Sequence, residues 1–117
     1  MEKIEHIGIA VRSLEQANSV YEKLMGIAPY KSEAVESEGV VTSFFRSGPN
    51  KIELLEASNP DSPIAKFIEK RGEGIHHIAF SVTDIRSEMA RLFPESKIWE
   101  EKLLVFSKSF VAHNFKD

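Results

Sequence analysis

The feature that most restricts how this chain can fold is that it begins the same pattern twice. Residues 5–11 read E-H-I-G-I-A-V and residues 76–82 read H-H-I-A-F-S-V. Laid over one another, His6 meets His77, Ile7 meets Ile78, Val11 meets Val82, and Gly8 meets Ala79. Both segments are apolar and rich in β-branched or small residues, as a buried strand is. The agreement continues past them: Ser13 meets Asp84, both good helix caps, and Leu14 meets Ile85. Each strand is therefore followed, after the same short turn, by a helix start. A repeat of this length reads as two similar units packed together.

The first unit can be followed element by element. Ser13 caps a helix, Gln16 completes a capping box three residues on, and Gly26 stops it. Leu14, Ala17, Val20, Tyr21, Leu24 and Met25 recur at helical spacing and predict one buried face. The period then changes to that of strands, over about Tyr30 to Glu36, Gly39 to Phe45 and Lys51 to Ala57, with a turn cluster at residues 47–50. Ser62 or Asp61 caps a second helix, Pro63 suits its first position, Ile64, Phe67 and Ile68 face inward, and Gly72 ends it. The Gly72-Glu73-Gly74 stretch reads as a flexible joint. The second unit then opens, with a helix over about Ile85 to Phe93 closed by Pro94, and one further strand at Leu103 to Phe106. The first unit runs 44 residues past Ser13, whereas 33 follow Asp84, so the second unit is incomplete. The expected architecture is α+β in a single domain over 1–117. A βαβββ module covers about 3–57, a linking helix 62–71, and a partial second module about 74–117.

Composition removes several function classes. The charge is −3, from 15 Lys+Arg against 18 Asp+Glu, with no basic stripe, which argues against nucleic acid as a partner. Cysteine is absent, which excludes a disulfide framework, a thiolate zinc site and a cysteine nucleophile, and fits a cytoplasmic setting. The longest run without Asp, Glu, Lys or Arg, Gly74 to Thr83, falls far short of the roughly 20 residues of a membrane helix. Nor does a cationic-then-apolar leader precede Ile4, so no signal peptide is expected. No phosphate loop, G-x-S-x-G elbow or H-E-x-x-H helix occurs.

The repeat lends weight to its histidines. If the units pack about a pseudo-twofold axis, His6 and His77 converge on one point. Glu53 is the third member: it shares a strand face with Leu55, while Ile52 and Leu54 take the other. A carboxylate in an apolar strand costs several kcal/mol unless paired or metal-bound. Two imidazoles and a carboxylate suit a divalent metal such as Co²⁺, Zn²⁺, Mn²⁺ or Ni²⁺. Each residue also has a plain structural reading, a hydrogen-bonded histidine or a solvent-facing acid on an edge strand. His76 follows as a structural or supporting residue on the face opposite His77, Glu56 as a solvated acid, and His113 as a surface residue.

Three segments together carry a resemblance: E-H-I-G-I-A-V, then K-I-E-L-L-E, then S-P-I-A-K-F-I-E-K-R-G-E-G-I-H-H-I-A-F. They resemble the methylmalonyl-CoA epimerases of the vicinal oxygen chelate superfamily, which also holds glyoxalase I. The resemblance covers about residues 3–92 and is most specific over 62–80. It implies paired βαβββ modules cupped around one divalent metal, Co²⁺ in first place, with His6, Glu53 and His77 as ligands. It further implies an acyl-CoA substrate, a homodimer, and epimerisation of methylmalonyl-CoA by loss of the α-proton to an enolate stabilised on the metal. The family's fourth ligand is a Glu in the last strand of the second module. Its place here would be position 124, past the last residue, and no segment resembles the family's G-V-L-I-E-L strand. The family's other proton-transfer acid aligns with Thr42, leaving Glu36 or Glu38 as substitutes, and no catalytic residue is assigned. After Leu92 the resemblance stops, which leaves a truncation, a shifted reading frame near Phe93 or a genuinely divergent ending as the readings. The alternatives are another superfamily enzyme, glyoxalase I or an extradiol-type dioxygenase, and a non-catalytic truncated fragment. If the chain is active as it stands, Glu100, Glu101 and His113 are the replacements to test.

Overall fold

The computed structural model of the protein describes residues 3–84, 87, 90, 91, 103–106 and 109–113. The first unit forms as a complete βαβββ module: β1 (Lys3–Ala10), α1 (Leu14–Met25), β2 (Lys31–Val35), β3 (Val40–Ser47) and β4 (Asn50–Ala57). A 3-10 turn, Glu36–Glu38, joins β2 to β3 and ends at Gly39, whose φ of 65° is left-handed. Then come α2 (Pro63–Arg71), β5 (Gly74–Ser81), β6 (Leu103–Phe106) and β7 (Ser109–His113). Of the helix expected over Ile85 to Phe93, Ser87, Ala90 and Arg91 are helical, and the remainder lies outside the described residues. Asp84 does serve as a cap, since its Oδ1 accepts from the Ser87 N–H at 3.3 Å.

Helix starts are where the residues promised them. Ser13 Oγ accepts from the Gln16 N–H at 3.2 Å, and Ser62 Oγ accepts from the Ala65 N–H at 3.0 Å. Of the two candidates for capping α2, Ser62 is the one used. The inward face of α1 is narrower than its spacing implied. Leu14, Ala17, Tyr21 and Met25 pack against the core, but Val20 and Leu24 are 61% and 74% exposed. One helix lying on a flat sheet buries a stripe about 100° wide, and residues at its margins remain in solvent.

Among the described residues, seven strands join one sheet in the order β2-β3-β4-β1-β5-β7-β6. The centre of the sheet carries the repeat. β1 and β5 run antiparallel with Ile7 opposite Ile78, flanked by His6 opposite Ala79 and Gly8 opposite His77. Ile7 therefore pairs with its own counterpart, and the pseudo-twofold axis of the repeat passes between these two residues. Two irregularities interrupt the ladder, and they too are symmetric. Glu5 is an extra residue in β1, between the Ile4–Phe80 and His6–Ala79 pairs; His76 is an extra residue in β5, between Ile75 and His77. Each bulge falls immediately before a repeated histidine.

The symmetry fails farther out. β4 runs parallel to β1, whereas β7, its counterpart beside β5, runs antiparallel. In a meander successive strands alternate in direction. Among the described residues three strands follow α1 and two follow the second unit's helical residues, so the strand reaching the central position arrives reversed. β6 is the strand expected at Leu103 to Phe106, while β7 was not foreseen. His113 falls in β7, where its backbone lies in the sheet directly opposite His77.

The core lies on both faces of the first unit. On one, Val11, Phe45 and Leu54 pack beneath α1; on the other, Ala10, Val40 and Leu55 pack against Ile64 of α2. The alternation along β4 thus separates Leu54 from Leu55 as its sequence required, and places Glu53 on the face that α2 partly covers.

Candidate metal centre

Three strands meet at the sheet centre, and each delivers one donor. His6 comes from β1, Glu53 from β4 opposite Gly8, and His77 from β5 opposite the same Gly8. Their ligand atoms all lie within 4.8 Å of one another. His6 Nε2 is 3.0 Å from His77 Nε2, and Glu53 Oε1 is 3.5 Å from the first and 3.3 Å from the second. The imidazoles meet edge to face, their rings 87° apart. Side-chain exposures of 20%, 14% and 12% for His6, Glu53 and His77 leave the cluster partly buried, with each side chain still reaching solvent. β4 is an interior strand, so the solvent-facing edge reading of Glu53 does not hold.

Gly8 makes the convergence possible. The His77 imidazole lies over its Cα, and a Cβ built at Gly8 would fall 2.5 Å from Nε2 and 2.6 Å from Nδ1. No side chain other than hydrogen fits there.

The bulges aim both histidines. An extra residue in a strand lets two successive side chains emerge on one side. Glu5 Oε1 accordingly sits 3.3 Å from His6 Nδ1, and the same oxygen accepts from Lys51 Nζ at 3.3 Å. Burial alone raises the Glu5 carboxyl, but the hydrogen bonds to His6 and Lys51 and the Lys51 charge outweigh it, so its pKa ends below the ordinary value. In the second unit His76 Nδ1 lies 2.9 Å from His77 Nδ1. This corrects the strand-alternation reading that set His76 on the face opposite His77, because the bulge cancels the alternation. The His76 ring also stands edge-on to Phe67 of α2, with centroids 5.0 Å apart.

This donor set fits a divalent cation. Nδ1 of His6 donates to an acceptor-only carboxylate, which leaves Nε2 with its lone pair directed at Glu53 and His77. In the tautomer with the His77 proton on Nδ1, facing His76, three electron-pair donors meet, and a bound cation would relieve their repulsion. Two imidazoles and one carboxylate suit Zn²⁺, Co²⁺ or another borderline metal.

Other acids fall elsewhere. Glu56 is not a free solvated group: its Oε1 accepts from the Leu14 N–H at 2.5 Å, tying the start of α1 to β4 and placing a negative charge at the helix N-terminus. Nothing in its spacing signalled this. Thr42 is 2% exposed, and its hydroxyl donates to the Glu33 carbonyl at 3.2 Å, so it offers no base. Glu36 and Glu38 occupy the 3-10 turn between the two outermost strands of the first unit, β2 and β3. Glu100 and Glu101 lie outside the described residues. Among the described residues no helix is long and apolar enough to cross a membrane.

Comparison with known proteins identifies the family. The family model described as "Glyoxalase/Bleomycin resistance protein/Dioxygenase superfamily" matches residues 5–95. The chain is 42% identical to the uncharacterized protein YqjC of Bacillus subtilis over 92 residues, covering 79% of this chain and 66% of that one. It is 34% identical to the mitochondrial methylmalonyl-CoA epimerase of Homo sapiens, covering 77% of this chain and 52% of that one. The chain thus spans between half and two thirds of the length of these relatives. A solved structure of methylmalonyl-CoA epimerase in complex with methylmalonyl-CoA and NH4+ superposes with a TM-score of 0.70 at 28% identity, covering 91% of this chain and 74% of that one. A sheet built on a repeated strand, a His-Glu-His cluster at its axis and these likenesses lead to one conclusion: the chain belongs to the glyoxalase/bleomycin resistance protein/dioxygenase superfamily, the vicinal oxygen chelate fold, with methylmalonyl-CoA epimerases among its relatives.

Proposed function

We propose that the protein binds one divalent metal through His6, Glu53 and His77 and acts on an acyl-CoA, methylmalonyl-CoA, exchanging the proton at its α-carbon. The observation that carries this reading is the convergence of three donor atoms from three strands within 4.8 Å. The substrate class follows from the named relatives. Among the candidate ions Co²⁺ comes first, with Zn²⁺, Mn²⁺ and Ni²⁺ as alternatives. A divalent ion held by these residues would offer its remaining positions to oxygens of the substrate, those of the thioester and the carboxylate being the candidates.

A divalent ion held by His6, Glu53 and His77 would supply positive charge to stabilise negative charge on the thioester oxygen. The chain's own residues supply the frame. Gly8 admits the His77 ring, the two bulges orient the imidazoles, and α2 shields one side. Loss and return of the proton on opposite faces require two acid–base groups. Thr42, aligned with one of these in the epimerases, is committed to the Glu33 carbonyl. We therefore expect epimerisation about 10²–10⁴-fold slower than in relatives carrying an acid there, the usual worth of one such group. As its resemblance implies, the protein would assemble as a homodimer, and its freedom from cysteine suits the cytoplasm.

Deuterium exchange at the α-carbon, followed by mass spectrometry with added Co²⁺, tests the reading through its half-reaction. Exchange into methylmalonyl-CoA with none into a glutathione hemithioacetal supports it. The reverse outcome makes the protein a glyoxalase I, and oxygen uptake with a catechol on Fe²⁺ makes it a dioxygenase. Metal binding without any of these activities makes it a non-catalytic member of the fold.

A further inference from the structure

The two bulge residues have a role that neither the repeat nor the family assigns. Each stands one position before a repeated histidine, and each touches the ring nitrogen turned away from the cluster. The partners differ in kind. His6 meets the carboxylate of Glu5, held in turn by Lys51, which pairs with His6 across β1 and β4. His77 meets another imidazole, His76, braced against Phe67. A carboxylate accepting from Nδ1–H fixes the tautomer with Nε2 unprotonated and raises the electron density at that atom. A neutral imidazole does the first and far less of the second.

We propose that Glu5 and His76 are positioning residues that set the tautomers of the two histidines, and that they do so unequally, making His6 the stronger donor of the pair. The inference rests on the metal-binding reading of the cluster. Its physical content is an asymmetry imposed on a symmetric frame: the pseudo-twofold axis makes the two imidazoles equivalent in place, and the bulge residues make them inequivalent in charge. Groups behind a metal-ligating histidine commonly contribute about 10–100-fold in metal affinity. Glu5 should stand near the top of that range and His76 near the bottom, since a carboxylate is a stronger acceptor than an imidazole.

The test uses the full chain with Co²⁺ as the probe and two readouts. Titration followed by the visible Co²⁺ absorption gives affinity for the wild type, Glu5→Gln and His76→Phe, the last keeping a ring against Phe67. Nitrogen-15 NMR of the metal-free proteins gives the tautomer of each histidine. The expected result is weaker Co²⁺ binding by roughly 30–100-fold in Glu5→Gln and by roughly 10-fold or less in His76→Phe. His6 should also shift from the Nδ1–H form to a mixture in Glu5→Gln alone, and Glu5→Asp should restore part of the affinity. Wild-type affinity and an unchanged His6 tautomer in a folded Glu5→Gln protein would overturn the proposal. If the wild type binds no Co²⁺, the metal reading fails, and the metal-free tautomers still decide whether Glu5 and His76 set the histidines.

Discussion

Replacing Gly8 by alanine is the smallest change that should disable the metal centre. A methyl group at this position would lie 2.5–2.6 Å from both nitrogens of the His77 ring. Ordinary contact requires about 3.5 Å, so the ring must retreat by roughly 1 Å. Two effects then oppose each other in stability. Overpacking costs typically 1–3 kcal/mol, while a less flexible unfolded chain returns about 0.4–1 kcal/mol. The net should be a loss of about 0.5–2 kcal/mol, which the fold survives. A metal held by His6, Glu53 and His77 as proposed would have no such tolerance, since ligand distances must hold within about 0.2 Å. Displacing a ligand should cost at least as much as losing a supporting group, about 100-fold in affinity. Chelator competition with Co²⁺ measures the binding, and thermal unfolding in chelator measures the metal-free stability. Ala79→Gly, at the counterpart position opposite His6, is the control that leaves binding within a few-fold. Wild-type metal affinity in a folded Gly8→Ala protein would refute the reasoning, because the ring would then not depend on the missing Cβ.

Removing either imidazole, as in His6→Ala or His77→Ala, should abolish stoichiometric metal by elemental analysis while circular dichroism remains native. Glu56→Ala should lower stability by about 1–2 kcal/mol in denaturant titrations by freeing the Leu14 N–H, with metal affinity unchanged. Leu54→Ala, at a fully buried position beneath α1, should cost about 2–5 kcal/mol. Because Glu5 titrates below its ordinary 4.5 in the folded chain, its stabilisation is present above that pH and lost as pH falls through the depressed value. The melting-temperature gap between wild type and Glu5→Gln, followed without metal, should accordingly narrow between pH 6 and pH 3.

Much of this protein is written in local pattern, and the rest in relations between strands. The caps at Ser13 and Ser62, the helix stops at Gly26 and Gly72, and the alternation parting Leu54 from Leu55 are set by neighbours a few residues apart, so one sequence suffices to read them. The repeat likewise announced a symmetric frame and, with it, His6 and His77. What tertiary structure alone decided is how the strands register. A bulge arises when one strand accommodates another, so strand alternation put His76 on the wrong face and gave no hint that Glu5 reaches His6. Glu56 reads as a surface acid until the first turn of α1 is brought against β4. The margins of α1 stay exposed at Val20 and Leu24 because a helix packed on a sheet buries only one stripe of its surface. The direction of β7, and with it the placement of His113 opposite His77, depends on how many strands precede it in the meander, which periodicity within a segment does not encode. Sequence supplied the donors; the register of β1 against β4 and β5, with a glycine where their side chains cross, brought them to one point.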